Sequence, residues 1–124
     1  MGAYNWVLSK ETCPKCNQTA LLKAQTHIAS SYDGDETGRF HDREYQVGEA
    51  MAWWPKTDRR YSEWKIETLR YGEERGPEYC TECCYAQCPL CQAELYVVIC
   101  FKEATPIEVV DYGLENQWPS RYFR

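Results

Sequence analysis

Histidine is scarce in this 124-residue chain: His27 and His41 are the only two. Neither sits in a protease or transferase signature, so a nucleophilic cysteine would lack an evident base. Positive charge is also short. Fourteen Lys and Arg face 19 Asp and Glu, for a formal charge of −5, a poor balance for gripping phosphate backbones. Lys56, Arg59 and Arg60 lie close together and read as a solvated turn. No apolar run approaches the roughly 20 residues of a membrane span. The opening Met-Gly-Ala-Tyr-Asn-Trp-Val-Leu lacks the basic region and apolar stretch of a secretory signal. Trp6 also stands where a myristoylation motif needs Ser or Thr. There is no linker, low-complexity tract or repeat of fixed period. These absences predict a single domain, 1–124, in a reducing cytoplasm.

Two residue classes are abundant. Aromatics make up 15% of the chain, with 10 Tyr and 5 Trp, and there are 8 Cys. In a reducing compartment paired cysteines mean metal more often than disulfide. Two pairs share one pattern: Cys13-Pro-Lys-Cys16 and Cys88-Pro-Leu-Cys91. A Cys-x-x-Cys bend presents two sulfurs from one turn, proline stiffens it, and two such bends complete a tetrahedral shell. The expectation is one structural zinc ion at Cys13, Cys16, Cys88 and Cys91. Four protein ligands leave no position for water or substrate, so such a site stabilises and does not catalyse.

Around these knuckles the chain reads mostly as strand. Residues 4–8 and 19–29 are candidate strands. Residues 39–47 alternate around Phe40, Tyr45 and Val47, and 50–54 resume before Pro55. Residues 61–71 alternate with mixed faces, 94–101 are the clearest strand, and 106–112 form its hairpin partner. The predicted fold is an antiparallel sheet closed by two Cys-Pro-x-Cys knuckles and a C-terminal hairpin. On those knuckles and the hairpin at 94–112 the chain resembles a zinc ribbon. It departs from that pattern in the insert of about 17–87, far longer than the usual spacing of about 15–20 residues. With Tyr45-Gln-Val-Gly48 inside the insert, the arrangement also looks like small bacterial zinc-ribbon proteins of unassigned function. That resemblance brings no catalytic residues with it.

Other cysteines compete for attention. Cys80-Thr-Glu-Cys83 is a third Cys-x-x-Cys, followed by Cys84. A second metal would need His27, His41 or Cys100 as a further ligand. On a strand Cys83 and Cys84 point to opposite faces, which opposes that reading. Cys100 reads as core. Asp33, Asp35, Thr37, Gly38 and Glu44 fit the spacing of an EF-hand calcium loop, but the flanks read as strand rather than helix.

The surplus aromatics gather at Trp53, Trp54, Tyr61 and Trp64, and again at Trp118, Tyr122 and Phe123 in the tail (about 113–124). One reading is an exposed patch that binds a protein; the other is a tail folded over the sheet. Trp53, Trp54, Trp64, Trp118 and Tyr122 are the candidate partner-binding residues. The leading expectation is a non-enzymatic, zinc-stabilised interaction module, in one version an inhibitor or immunity-type protein that masks a basic partner. The alternatives are a nucleic-acid-binding zinc ribbon, which the acidic charge disfavours, and a cysteine-dependent enzyme.

Overall fold

Strict alternation of buried and exposed side chains marks the strand Thr19–Thr26, where Ala20, Leu22, Ala24 and Thr26 face inward. The computed structural model describes residues 4–30, 40–68, 76 and 78–120, and only the backbone of 64–68. The strands are β1 (Asn5–Thr12), β2 (Thr19–Thr26), β3 (Glu44–Gln46), β4 (Tyr79–Gln87), β5 (Glu94–Lys102) and β6 (Thr105–Leu114). Among the described residues a helix, α1, spans Arg59–Thr68, and a 3-10 turn covers Glu115–Gln117. The protein is mostly β, in one six-stranded sheet ordered β3-β1-β2-β4-β5-β6.

Two hairpins of the same build form the centre. β1 pairs antiparallel with β2 from Asn5↔Thr26 to Thr12↔Thr19. β4 pairs antiparallel with β5 from Tyr79↔Lys102 to Gln87↔Glu94. Each hairpin turns through one Cys-Pro-x-Cys segment. The seam between them is the β2–β4 pairing, registered at Gln25↔Tyr85. β6 extends the second hairpin through the turn at 103–104, with bulges between Val98 and Ile99 and between Cys100 and Phe101.

The sheet is mixed rather than purely antiparallel. β3 runs parallel to β1, pairing Trp6↔Glu44 to Leu8↔Gln46. The chain after β3 then crosses to the opposite edge. The Gly48 amide donates to the Pro106 carbonyl at 2.6 Å, and the Met51 amide to the Ala104 carbonyl at 2.8 Å. These bonds bring the two edges of the sheet together, so the sheet curls around its inner face. Val7, Leu22, Ala24, Leu95, Val97, Ile99 and Phe101 fill that face, all at or near zero exposure. Ala24 aside, burying each of these large side chains is worth about 1.5–3 kcal/mol.

The expected strand at 61–71 is instead helix over 59–68; residues 69–71 lie outside the described residues. The alternation there was a false signal, and a helix start lay just before it. Asp58 caps α1 by accepting the Arg60 amide at 2.8 Å, a side-chain bond that satisfies an otherwise orphaned donor. Arg59 and Glu63 add an i,i+4 pair at 3.4 Å. Of the expected strand at 39–47, residue 39 lies outside the described residues, and of 40–47 only Glu44–Gln46 forms strand. Residues 50–54 form no strand, although Met51 and Trp54 are buried.

Candidate metal centre

The two hairpin turns are built alike. In the first, the Cys13 amide donates to the Gln18 carbonyl at 2.9 Å, and the Asn17 amide to the Cys13 carbonyl at 2.8 Å. In the second, the Cys88 amide donates to Ala93 at 2.9 Å, and Gln92 to Cys88 at 2.8 Å. Asn17 and Gln92 occupy the same position and share a left-handed backbone, with φ of 59° and 65°. That conformation turns the chain sharply after the second cysteine, and it is disfavoured for a residue with a Cβ. Its presence at both turns shows how closely each backbone is held to the shape that points two sulfurs one way.

The turns meet at their tips. Cys13 Sγ lies 3.7 Å from Cys91 Sγ, and Cys16 Sγ lies 3.9 Å from Cys88 Sγ. All four sulfurs fall within 4.8 Å of one another. A metal–sulfur bond of about 2.3 Å in a regular tetrahedron separates its sulfurs by about 3.8 Å. A disulfide would need about 2.05 Å, and none of the eight cysteines is in a disulfide. The four sulfurs therefore have the spacing of a set that could hold a metal ion. Cys13 and Cys88 are fully buried, while Cys16 and Cys91 are partly exposed.

Backbone amides shape the charge of these thiols. The amides of Cys16 and Lys15 point at the Cys13 sulfur and hold its pKa below the ordinary thiol value, against the opposing effect of burial. Those of Cys91 and Leu90 do the same for Cys88, down to about 7. At Cys16 the Gln18 amide favours the thiolate, but burial and the three neighbouring sulfurs prevail and push it up to about 11. Two sulfurs thus favour the thiolate and one holds its proton. A divalent cation would displace the remaining protons and draw all the sulfurs in as thiolates.

The third Cys-x-x-Cys does not chelate. Cys80 and Cys84 face the main core, while Cys83 lies on the opposite face with Tyr96 and Val98. Burial, with Glu82 and Asp111 nearby, pushes Cys83 up to about 12. Cys84 is raised well above the thiol range, mainly by burial and then by Glu82. Cys100 is buried, as expected. Among the described residues, the four knuckle cysteines are the one group of His, Cys, Asp and Glu placed to hold a metal. Of the calcium-loop residues, 33–38 lie outside the described set, and Glu44 is ion-paired with Lys23 at 3.0 Å.

Two polar residues, Glu82 and Asn5, did not stand out in the sequence. Glu82 accepts the Thr26 hydroxyl, the His27 amide at 3.1 Å and the Cys84 thiol at 3.3 Å, and its carboxylate pairs with the His27 ring at 3.3 Å. It fastens the end of β2 to β4, across the seam between the hairpins. Asn5, fully buried, donates to the carbonyls of Phe40 at 3.0 Å and Ala29 at 3.1 Å and accepts the Arg43 amide. Alternation alone could have placed Glu82 on the inward face between Cys80 and Cys84. Its partners Thr26 and His27 lie 56 and 55 residues away and leave no mark in the local pattern. His27 and Cys84 do meet on Glu82, but burial first, and then that carboxylate, push the Cys84 thiol up and keep it protonated, the reverse of nucleophile activation.

The aromatic candidates separate by environment. Trp54 is 7% exposed, set edge-on against Phe40 at 4.6 Å and under the Arg60 guanidinium at 3.4 Å. Trp53 is half-buried beside Phe40 at 5.1 Å. Trp118 is also half-buried and packs on Tyr96 at 6.3 Å, so the start of the tail folds onto the outer face of the sheet. The side chain of Trp64 and all of Tyr122 lie outside the described residues. Leu21, Val47, Leu90 and Val110 are the large apolar side chains most open to solvent among the described residues. Leu90 is the third residue of the second knuckle.

Comparison with known proteins finds no matching family model and no significant match to a characterised protein or a solved structure. No helix among the described residues is long and apolar enough to cross a membrane.

Proposed function

We propose that this chain is a non-enzymatic protein-interaction module whose sheet is closed, in the manner of a zinc ribbon, by one structural zinc ion on Cys13, Cys16, Cys88 and Cys91. The observation that carries the reading is the sulfur cluster itself: four sulfurs from two matched turns, within 4.8 Å, with no fifth donor beside them among the described residues. Tetrahedral sulfur sets suit zinc, and a full set of protein ligands leaves no open position for chemistry. The thiols at Cys83 and Cys84 are held protonated by burial, which supports the non-enzymatic reading.

The partner is a protein with a basic surface, met in the cytoplasm of a bacterium, and the chain masks that surface as an inhibitor or immunity-type protein. Support comes from the net charge of −5 and from apolar side chains left open at Leu21, Leu90 and Val110. Trp53 and Trp118, half-buried, are better placed as anchors than Trp54. A pull-down from the native host, repeated with Trp53→Ala and Trp118→Ala, tests this. Loss of capture by variants that remain folded at the assay temperature supports the reading. Salt-dependent retention on DNA or RNA, with no protein captured, would turn it toward a nucleic-acid-binding ribbon.

A further inference from the structure

The sulfur cluster has a second property besides its fit to a metal ion. Each knuckle's second sulfur lies against the other knuckle's first: Cys91 against Cys13 at 3.7 Å, Cys16 against Cys88 at 3.9 Å. Each contact joins one partly exposed sulfur to one buried sulfur. Each also crosses between hairpins, joining residues 78 and 72 apart in sequence. The exposed members are where a small oxidant from solvent would arrive. The buried members are where the partner thiolate would wait.

We infer that the site is a peroxide-responsive element whose oxidised product is a pair of disulfides crossing between the hairpins, Cys13–Cys91 and Cys16–Cys88. The inference rests on the metal reading above. A peroxide oxidises the exposed thiolate of each pair to a sulfenic acid, and the buried thiolate attacks that sulfur and expels water after protonation. Two peroxides and four protons convert the zinc tetrathiolate into two disulfides, four waters and a released zinc ion. Four electrons pass from sulfur to peroxide oxygen. The metal leaves, but the two hairpin tips remain tied, by covalent bonds between the same four residues. Oxidation therefore exchanges one staple for another, where chelation under reducing conditions simply removes it.

The remaining cysteines are placed to stay out of this exchange. Cys80, Cys83, Cys84 and Cys100 are all buried, and Cys83 and Cys84 point to opposite faces of the sheet. The sequence also makes the product readable. Lys15 separates Cys13 from Cys16, and Leu90 separates Cys88 from Cys91, so trypsin followed by chymotrypsin places each knuckle sulfur on its own peptide.

The test uses the wild-type chain. Zinc is first counted in the purified, reduced protein, or after loading with zinc alone; a chain that holds none overturns the metal reading before any oxidant is added. The loaded protein is then treated with hydrogen peroxide while a chromogenic chelator follows zinc release and non-reducing peptide mapping follows the sulfurs. The expected result is one zinc released per chain, with peptides joined Cys13–Cys91 and Cys16–Cys88. The oxidised, zinc-free protein should also melt above the reduced, chelated one, and dithiothreitol with zinc should restore the starting state. Disulfides within each knuckle, release with no disulfide at these four positions, or retention of zinc until the buried cysteines oxidise would each overturn the proposal while leaving the metal reading intact.

Discussion

Loss of the metal should cost this protein a large and calculable share of its stability. The ion would tie Cys13 and Cys16 to Cys88 and Cys91, residues 72–78 apart across the two closest contacts. Treated as a crosslink on the unfolded chain, a loop of about 75 residues is worth about 4.5 kcal/mol. Folded domains are stable by about 5–15 kcal/mol in total, so the staple would account for roughly 30–90% of such a value. Unfolding entropy of about 2.1 cal/mol/K per residue, over 124 residues, gives about 0.26 kcal/mol/K and a fall in melting temperature of about 17 °C. This is a floor, because it counts chain entropy alone and leaves out the metal–thiolate bonds. The perturbation is refolding with reductant and excess chelator, compared with refolding in zinc. Cys88→Ser gives an independent route, since it removes a fully buried ligand. Calorimetry reads the melting temperature and elemental analysis the zinc. A metal-depleted chain that melts within about 3 °C of the loaded one would refute the reasoning, because the inner face would then hold the hairpins together without the staple.

Three further outcomes follow from the packing. Trp54→Ala should lower stability by about 3–5 kcal/mol, since it empties a buried site between Phe40 and Arg60; Trp118→Ala removes a half-exposed ring from Tyr96 and should cost about 0.5–1.5 kcal/mol. Denaturant titration of the pair checks the ranking, and equal losses would contradict the assigned environments. Gly113→Ala should destabilise by about 1–3 kcal/mol, because a Cβ there would sit 2.8 Å from the Tyr96 ring, which lies across the glycine; a Tyr96→Val background should relieve most of that loss in the same titration. Glu82 raises the His27 pKa, chiefly through its hydrogen bond, so His27 contributes stability that is full below its unfolded value of about 6.5 and is lost as pH rises through the higher folded value. The ring is 63% exposed, so the slope should be shallow; melting temperature against pH should flatten above about pH 6 in His27→Gln, and an unchanged slope would show that other groups set it.

How much of this was legible beforehand depends on whether the signal was local. The two Cys-Pro-x-Cys turns could be read directly, because their geometry is set within six residues: one proline, two amide–carbonyl bonds and one left-handed residue after the second cysteine. The strand expected at 94–101 was legible as a continuous apolar run and forms as Glu94–Lys102, buried on both faces; residues 19–29 suited helix or strand, and the knuckle before them tipped the reading to the strand that forms at Thr19–Thr26. The helix at 59–68 was missed because Tyr61 to Tyr71 alternates like a strand, and Asp58 capping Arg60 outweighed that pattern once the segment lay beside Trp54.

The sequence by itself therefore determined the local pieces: two metal-type knuckles, an acidic chain and a strand-rich composition. Tertiary structure decided what those pieces do together. That the sulfurs of 13 and 16 meet those of 88 and 91 depends on β2 pairing with β4 across the 52 intervening residues 27–78. That the two hairpins are equivalent is equally invisible in one dimension, because their strands share a shape and hardly any residues. The parallel pairing of β3, the bonds from Gly48 and Met51 to the far edge, and the Glu82 carboxylate across the seam all join residues distant in the chain. Local propensity and spacing act over a few residues, whereas sheet order and closure are fixed by which distant apolar faces bury one another and which buried polar groups find partners.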